Sequence, residues 1–254
     1  MNDNYNLEYK ILKIESMLTD LYENGLLEKK KCIVCGCEVN VFEPYLHDKR
    51  SLRPDAQCPY CKSMERHRTY WRIISEWINR NAENPNTKIL HFAPEKGISD
   101  NLKKCPNIDY YPVDYNSDYK YGIREKVDIM DIPYSNKEFD YIICNHVLEH
   151  VVDDNLAISE LYRVLKPGGE ALINVPITKS IFETIEKEEY NTPELRSKYY
   201  GQRDHLRRYG MDFKNRLKMA GFLVKDYYPN HEMSEKDIRK FGVKKDELVF
   251  LCSK

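Results

Sequence analysis

No apolar stretch in the 254-residue chain approaches the ~18 uncharged residues that a membrane-spanning helix needs. The first 18 residues also lack the apolar core of a secretory signal, so the protein is expected in the cytoplasm, with no membrane partner. An excess of charge of one sign is missing as well. Lysine and arginine number 40 and aspartate and glutamate 41, a net charge of −1, which argues against a chain that grips nucleic acid by bulk charge. Internal repeats and low-complexity tracts are absent, which excludes solenoids and arrays. The length suits one large domain, or a main domain with a small appendage.

Cysteine, by contrast, is plentiful. Five of the eight cysteines fall between Cys32 and Cys61, and the pairs Cys32-x-x-Cys35 and Cys58-x-x-Cys61 are separated by 22 residues. Two such tight turns present four thiolates to one ion in a tetrahedron, and this donor set favours zinc. A redox dithiol needs only one pair, and a disulfide framework conflicts with a reducing compartment. The expected ligands are therefore Cys32, Cys35, Cys58 and Cys61, with Cys37 close enough in sequence to replace Cys35. A closed four-sulfur site has no open position for substrate, so this zinc is structural and folds its own module.

The rest of the chain divides by rhythm. Leu7, Ile11, Ile14, Leu18 and Leu21 alternate steps of four and three, one face of an N-terminal helix (1–28) that Asn24-Gly25 ends. That face serves either to pack on its own chain or as the seam of a homodimer. Residues 29–84 form the zinc-binding module and a helix over 65–82, with 11 basic side chains against 7 acidic ones between Glu28 and Arg80. This local excess is either a solvated face or a nucleic-acid footprint. From residue 85 to 254, short apolar runs alternate with helical stretches: strands at 88–93, 110–113, 127–130, 139–144, 170–175, 222–228 and 248–252, and helices at 98–104, 153–165 and 212–220. Runs apolar on both faces imply an α/β domain with a parallel sheet covered on both sides. Residues 177–208 interrupt the alternation at the carboxyl end of a strand, as a substrate-side insertion would.

Three strand ends carry polar side chains suited to an adenosine-containing ligand. At Lys88–Gly97 a strand turns into a helix whose first amides are free. Asp114, followed by Tyr115, ends the next strand and can accept from ribose hydroxyls. Asp131, followed by Ile132, ends the third and can accept from an adenine amino group.

The segments Asp128–Val151 and Glu160–Val175, the latter containing Leu165-Lys-Pro-Gly-Gly169, resemble the central signature of class I S-adenosylmethionine-dependent methyltransferases. The similarity covers residues 88–228. It implies a Rossmann-like, seven-stranded, mostly parallel sheet with one antiparallel strand near the C-terminus. It also places Asn145 and His146 near the cofactor's sulfonium, and matches His150 to a family histidine that either packs or reacts. The chain departs from the family in its first loop. His91, Ala93 and Glu95 stand at the acidic, first-glycine and second-glycine positions, and only Gly97 remains. Glu95 is expected to supply the missing carboxylate to the cofactor's ammonium group.

Methyl transfer to a hydroxyl needs a base, and histidine titrates near neutrality. The candidates are His205 and His146, and His205 is the preferred base, because it lies in a polar cluster of Arg203, Asp204, Arg207, Arg208 and Tyr209 that could also bind an anion. The expected function is O-methylation of a small anionic acceptor: a phosphorylated or nucleotide-linked sugar, or a capsule phosphoramidate precursor. Similar cysteine-headed methyltransferases accompany surface-polysaccharide genes. An RNA methyltransferase that uses the zinc module, and a non-catalytic scaffold that keeps the fold, are the alternatives.

Overall fold

The computed structural model describes residues 13–15, 17, 18, 21, 28–47, 51–116 and 122–254. Residues 13–15, 17, 18 and 21 are helical, with Ile14, Leu18 and Leu21 exposed. Leu7, Ile11 and the expected stop at Asn24-Gly25 lie outside the described residues.

The cysteine module has two short hairpins, β1 (Lys30–Lys31) with β2 (Glu38–Val39) and β3 (Glu43–His47) with β4 (Ser51–Gln57). Its small core is Cys32, Val34, Phe42 and Cys58. Helix α1 (Glu65–Arg80) follows, and its residues Tyr70, Ile73, Ile74 and Trp77 are spaced to make one apolar stripe. That stripe packs on the main sheet, so the helix that the sequence groups with the cysteines is also a wall of the sheet core.

The main sheet is built from β5 (Thr87–Phe92), β6 (Ile108–Asp114), β7 (Glu125–Lys126), β8 (Phe139–Asn145), β9 (Leu165–Asn174), β10 (Leu223–Tyr227) and β11 (Val249–Ser253). The seven strands lie in the order β10-β11-β9-β8-β5-β6-β7, and β11 alone runs antiparallel to its neighbours. Successive strand side chains point to opposite faces. Ile89, Ile143, Leu172 and Val249 therefore face α1 and α2 (Lys96–Leu102), while Leu90, Ile142, Ala171 and Phe250 face α3 (Asp154–Val164) and the later α5 (Phe213–Met219). Because β5 pairs with both β6 and β8, the chain order reverses on either side of it, and the carboxyl ends of these strands open a crevice.

Three features depart from the sequence reading. The strand expected at 127–130 is a turn: the Asp128 carboxylate accepts the Met130 N–H at 2.9 Å, which pulls the backbone out of the sheet. The insertion contains α4 (Pro193–Tyr199), and the ring of Tyr190 stacks on Tyr199 at 3.9 Å. Between β10 and β11 lie α6 (Pro229–Glu232) and α7 (Glu235–Phe241), the latter capped by Ser234, which accepts from the Asp237 N–H. The Ser-x-x-Asp spacing at 234–237 was the available signal for that helix.

Candidate functional site

The four expected zinc ligands converge. Their sulfurs all lie within 4.8 Å of one another, with Cys32–Cys61 at 3.6 Å and Cys35–Cys58 at 3.7 Å. A tetrahedron with ~2.3 Å metal–sulfur bonds spaces its sulfurs ~3.8 Å apart, so the donor set fits zinc in kind and spacing. The two knuckles share one geometry: Gly36 N–H donates to Cys32 O and Lys62 N–H to Cys58 O, with Gly36 and Lys62 both in the left-handed region. Cys37 Sγ also stands 3.5 Å from Cys58 Sγ and 3.2 Å from Cys35 Sγ, so it remains an available replacement for Cys35.

This module is docked on the first helix of the sheet domain. Asn101 in α2 donates to Val34 O, and a Cβ at Gly97 would lie 2.6 Å from Ser63 Oγ and 3.0 Å from Val34. Gly97 is thus small where the module approaches, a demand on this glycine separate from the cofactor role expected from the sequence.

Two clefts meet over the carboxyl ends of β5, β6 and β8. The first, of about 660 Å³, is lined by Phe92, Ala93, Asp114–Asn116, Val127–Met130, His146, Val147, His150–Val152 and Asp204. Asp114 is 8% exposed at the end of β6, and one of its oxygens accepts the Asn116 N–H at 2.8 Å. Tyr115 beside it is 60% exposed, a face available to a flat ring. Ala93 and His146 both hold positive φ at the strand ends, +46° and +55°, a strained backbone that recurs where chains close around ligands. Asp131 and Ile132 do not line this cleft. Asp131 faces solvent, and Ile132 is buried in the core with its N–H donated to Glu160. Asp128 and Ile129 take their place, three residues earlier.

The altered first loop conserves a carboxylate in space. His91, wholly buried, puts Nδ1 2.9 Å from the Tyr110 hydroxyl and Nε2 2.8 Å from Glu95 Oε2. Burial alone would raise the Glu95 carboxyl, but the hydrogen bond and charge of His91 outweigh it and hold the group at about 2. Its other oxygen is 3.4 Å from Asn145 Nδ2, and Asn145 accepts in turn from Asn174 at 2.9 Å.

The second cleft, of about 780 Å³, lies between the cysteine module and the strand ends. Glu95, Asn145, His146, Glu149, His150 and His205 form its floor, and Arg53, Lys62, Arg66 and Lys96 its walls. The Nε atoms of Arg53 and Arg66 are buried without a hydrogen-bond partner. His146 and His150 line both clefts and mark where they join. His146 Nδ1 stands 3.4 Å from Glu149 Oε1.

The cluster at 203–209 is split by the fold. His205 is 5% exposed, its Nδ1 lies 3.2 Å from Tyr200 O, and desolvation lowers the ring's affinity for a proton. Asp204 caps no helix; its carboxylate lies 3.3 Å from His150 Nδ1. Tyr209 is not free for catalysis, because its buried hydroxyl donates to Asp154 at 2.6 Å, and burial raises that phenol. Arg207 is no anion receptor either. It is buried and donates to the carbonyls of Leu148, Val151 and Val152 and to Glu186. The cationic side chains at the site come instead from the module, α1 and α2. Glu149 and Asp128 are the site residues that sequence reasoning missed.

The family described as "Methyltransferase domain" matches residues 100–173. A demethylmenaquinone methyltransferase of Staphylococcus carnosus is 44% identical over 45 residues, 18% of this chain and 19% of that protein. A ubiquinone/menaquinone biosynthesis C-methyltransferase of Haemophilus ducreyi is 37% identical over 54 residues, 21% and 20% of the two chains. The chain thus spans about a fifth of the length of these curated relatives. The crystal structure of an S-adenosylmethionine-dependent methyltransferase from Archaeoglobus fulgidus aligns with 72% of this chain and 94% of its own, at 16% identity and a TM-score of 0.45. The segment that matches a methyltransferase domain supplies β6, β7, β8, α3 and most of β9, the half of the seven-stranded sheet that flanks the crevice beside β5.

Proposed function

We propose that the protein transfers a methyl group from S-adenosylmethionine to a small anionic acceptor, with oxygen as the atom methylated. The 660 Å³ cleft is within the ~300–1,000 Å³ of ordinary ligand sites. Asp114 would hold the ribose, Asp128 and Ile129 the adenine, and Glu95 the ammonium group. When bound there, the cofactor supplies an electrophilic methyl on a sulfonium. The protein then has to align an acceptor and take up a proton. We assign that role to His146, at the join of the clefts, with Glu149 Oε1 3.4 Å from its Nδ1 and the Tyr70 hydroxyl 3.4 Å from its Nε2, while His205 sits deeper, 5% exposed.

The observation that carries the acceptor's charge is the set of Arg53, Lys62, Arg66 and Lys96 lining the cleft; Lys62 and Lys96 pair with Glu43 and Asp100 and Arg53 lies 3.7 Å from Glu65, which leaves Arg66 as the cation without a carboxylate among the described residues. It supports a phosphorylated or nucleotide-linked sugar, or a phosphoramidate. The proposed zinc orders the module and so holds Arg53, Lys62 and Arg66 over the cleft. The relatives' names raise a second reading, C-methylation of a quinone ring, which the charged wall does not favour.

Calorimetric titration with S-adenosylmethionine and S-adenosylhomocysteine tests the donor half. Micromolar binding is expected; none by an intact, zinc-loaded protein would leave a non-catalytic scaffold as the better account. Labelled methyl transfer to phosphorylated sugars, phosphoramidates, RNA and demethylated quinones tests the other half. Transfer to the quinone or RNA alone would overturn the small anionic acceptor.

A further inference from the structure

Glu149 is a buried carboxylate with an unused oxygen. It is 2% exposed, Oε1 faces His146, and Oε2 has no hydrogen-bond partner. A charge in such a position is ordinarily paired or bound to a metal. Two histidines stand beside it. Ligand atoms of Glu149, His150 and His205 all lie within 4.8 Å of one another.

Both imidazoles are set up as ligands are. A carbonyl oxygen can only accept, so the contact between His205 Nδ1 and Tyr200 O puts the proton on Nδ1 and the lone pair on Nε2. His150 Nδ1 faces the Asp204 carboxylate at 3.3 Å, which favours the same tautomer. Metal-bound histidines almost always make this outer contact to a carbonyl or carboxylate, which fixes the ring and raises its basicity. The rings meet edge to face, their centroids 4.9 Å apart.

The scaffold beneath is rigid. Glu149 and His150 sit on a single helical turn, Leu148–His150, and the Leu206 N–H donates to Glu149 O at 2.8 Å, which pins the His205 segment to that turn. The buried guanidinium of Arg207 fastens the start of this turn and the two residues after it, through the carbonyls of Leu148, Val151 and Val152.

We propose that Glu149, His150 and His205 bind a divalent cation, separate from the four-cysteine site, on the acceptor side of the cleft. Two histidines and one carboxylate leave coordination positions open, and both histidines line the large cleft. The cation would hold an anionic oxygen of the acceptor. That role rests on the methyl-transfer reading; binding of the metal does not.

The test is titration of zinc-loaded protein with Mn²⁺, followed by electron paramagnetic resonance, and with Co²⁺, followed by its visible bands. Mn²⁺ competes poorly for thiolates, so the cysteine zinc stays in place. Binding of one equivalent of either ion is expected, weakened at least tenfold by His150→Gln, His205→Ala and the near-isosteric Glu149→Gln. S-adenosylhomocysteine titration and thermal melting of each variant report whether it is folded, and His150→Gln, on the solvent side, is the variant least exposed to that risk. Failure of both ions to bind, or equal binding by the wild type and a folded His150→Gln, would overturn the site. Metal binding without S-adenosylhomocysteine binding would keep the site and remove the methyl-transfer reading.

Discussion

His91 Nε2 lies 2.8 Å from Glu95 Oε2, so the histidine near the end of β5 anchors a carboxylate four residues later. The pair has a measurable consequence. Glu95 is lowered from 4.5 to about 2 in the folded protein, so its ionised form stabilises the fold above pH 4.5. That contribution is lost as pH falls toward 2, and a shift of this size corresponds to at most ~3 kcal/mol. Glu95→Gln should therefore be less stable than wild type at pH 7 in urea unfolding, and the gap should narrow between pH 5 and 3. A gap independent of pH would show that the carboxylate is not what the histidine holds.

Asp114→Ala should weaken S-adenosylhomocysteine binding by ~10–100-fold, the ~1.5–3 kcal/mol of hydrogen bonds to a charged group. Its melting temperature should stay near that of wild type. Asp128→Ala should also weaken binding, whereas Asp131→Ala should leave it within a factor of two. Calorimetry of the three variants checks the proposed adenine position, and an effect at Asp131 equal to that at Asp128 would refute it.

The contrast between Asp131, which faces solvent, and Asp128, which lines the cleft, shows what a one-dimensional reading can resolve. The apolar runs of β5, β8 and β9 are distinctive because both faces of a central parallel strand are covered, and their order was legible. Asp128-Ile-Met-Asp131 offers two carboxylates one turn apart, and only the backbone contact of Asp128 with Met130 N–H decides which one meets the cleft. Glu149 carried no signal at all, since a glutamate between Leu148 and His150 reads as surface until its burial is seen. The basic excess of residues 28–80 was legible as composition, but its direction was not. Docking of the module on α2 turns Arg53, Lys62 and Arg66 toward the strand ends. The buried uses of Arg207 and Tyr209 depend on carbonyls and a carboxylate 55 or more residues away in the chain, and on Glu186, 21 residues from Arg207, beyond any local pattern.

Gly97→Ala probes the joint between module and sheet. The added methyl would meet Ser63 Oγ and Val34, a cost of ~1–3 kcal/mol for overpacking. The variant should melt several degrees lower, and Ser63→Gly should recover part of the loss when combined with it, as contacting residues couple. Additive effects of the two substitutions would mean that the module does not dock as described. Cys58→Ser should release the metal and lower stability further, measured by metal content and melting on one sample.

Arg66→Ala tests the charged wall with the least structural disturbance. Among the described residues no carboxylate pairs with it, its Nε is a buried donor without a bond, and it lies on the first turn of α1, away from the cofactor cleft. With an anionic acceptor, its loss should raise the acceptor KM about tenfold, about the value of one charge-assisted hydrogen bond, with S-adenosylhomocysteine affinity unchanged. Added salt should raise the wild-type KM and have a smaller effect on the variant, because one of the screened charges is gone. An acceptor KM equal in the two proteins at low salt would show that the arginine faces solvent during the reaction and would shift the search toward uncharged acceptors.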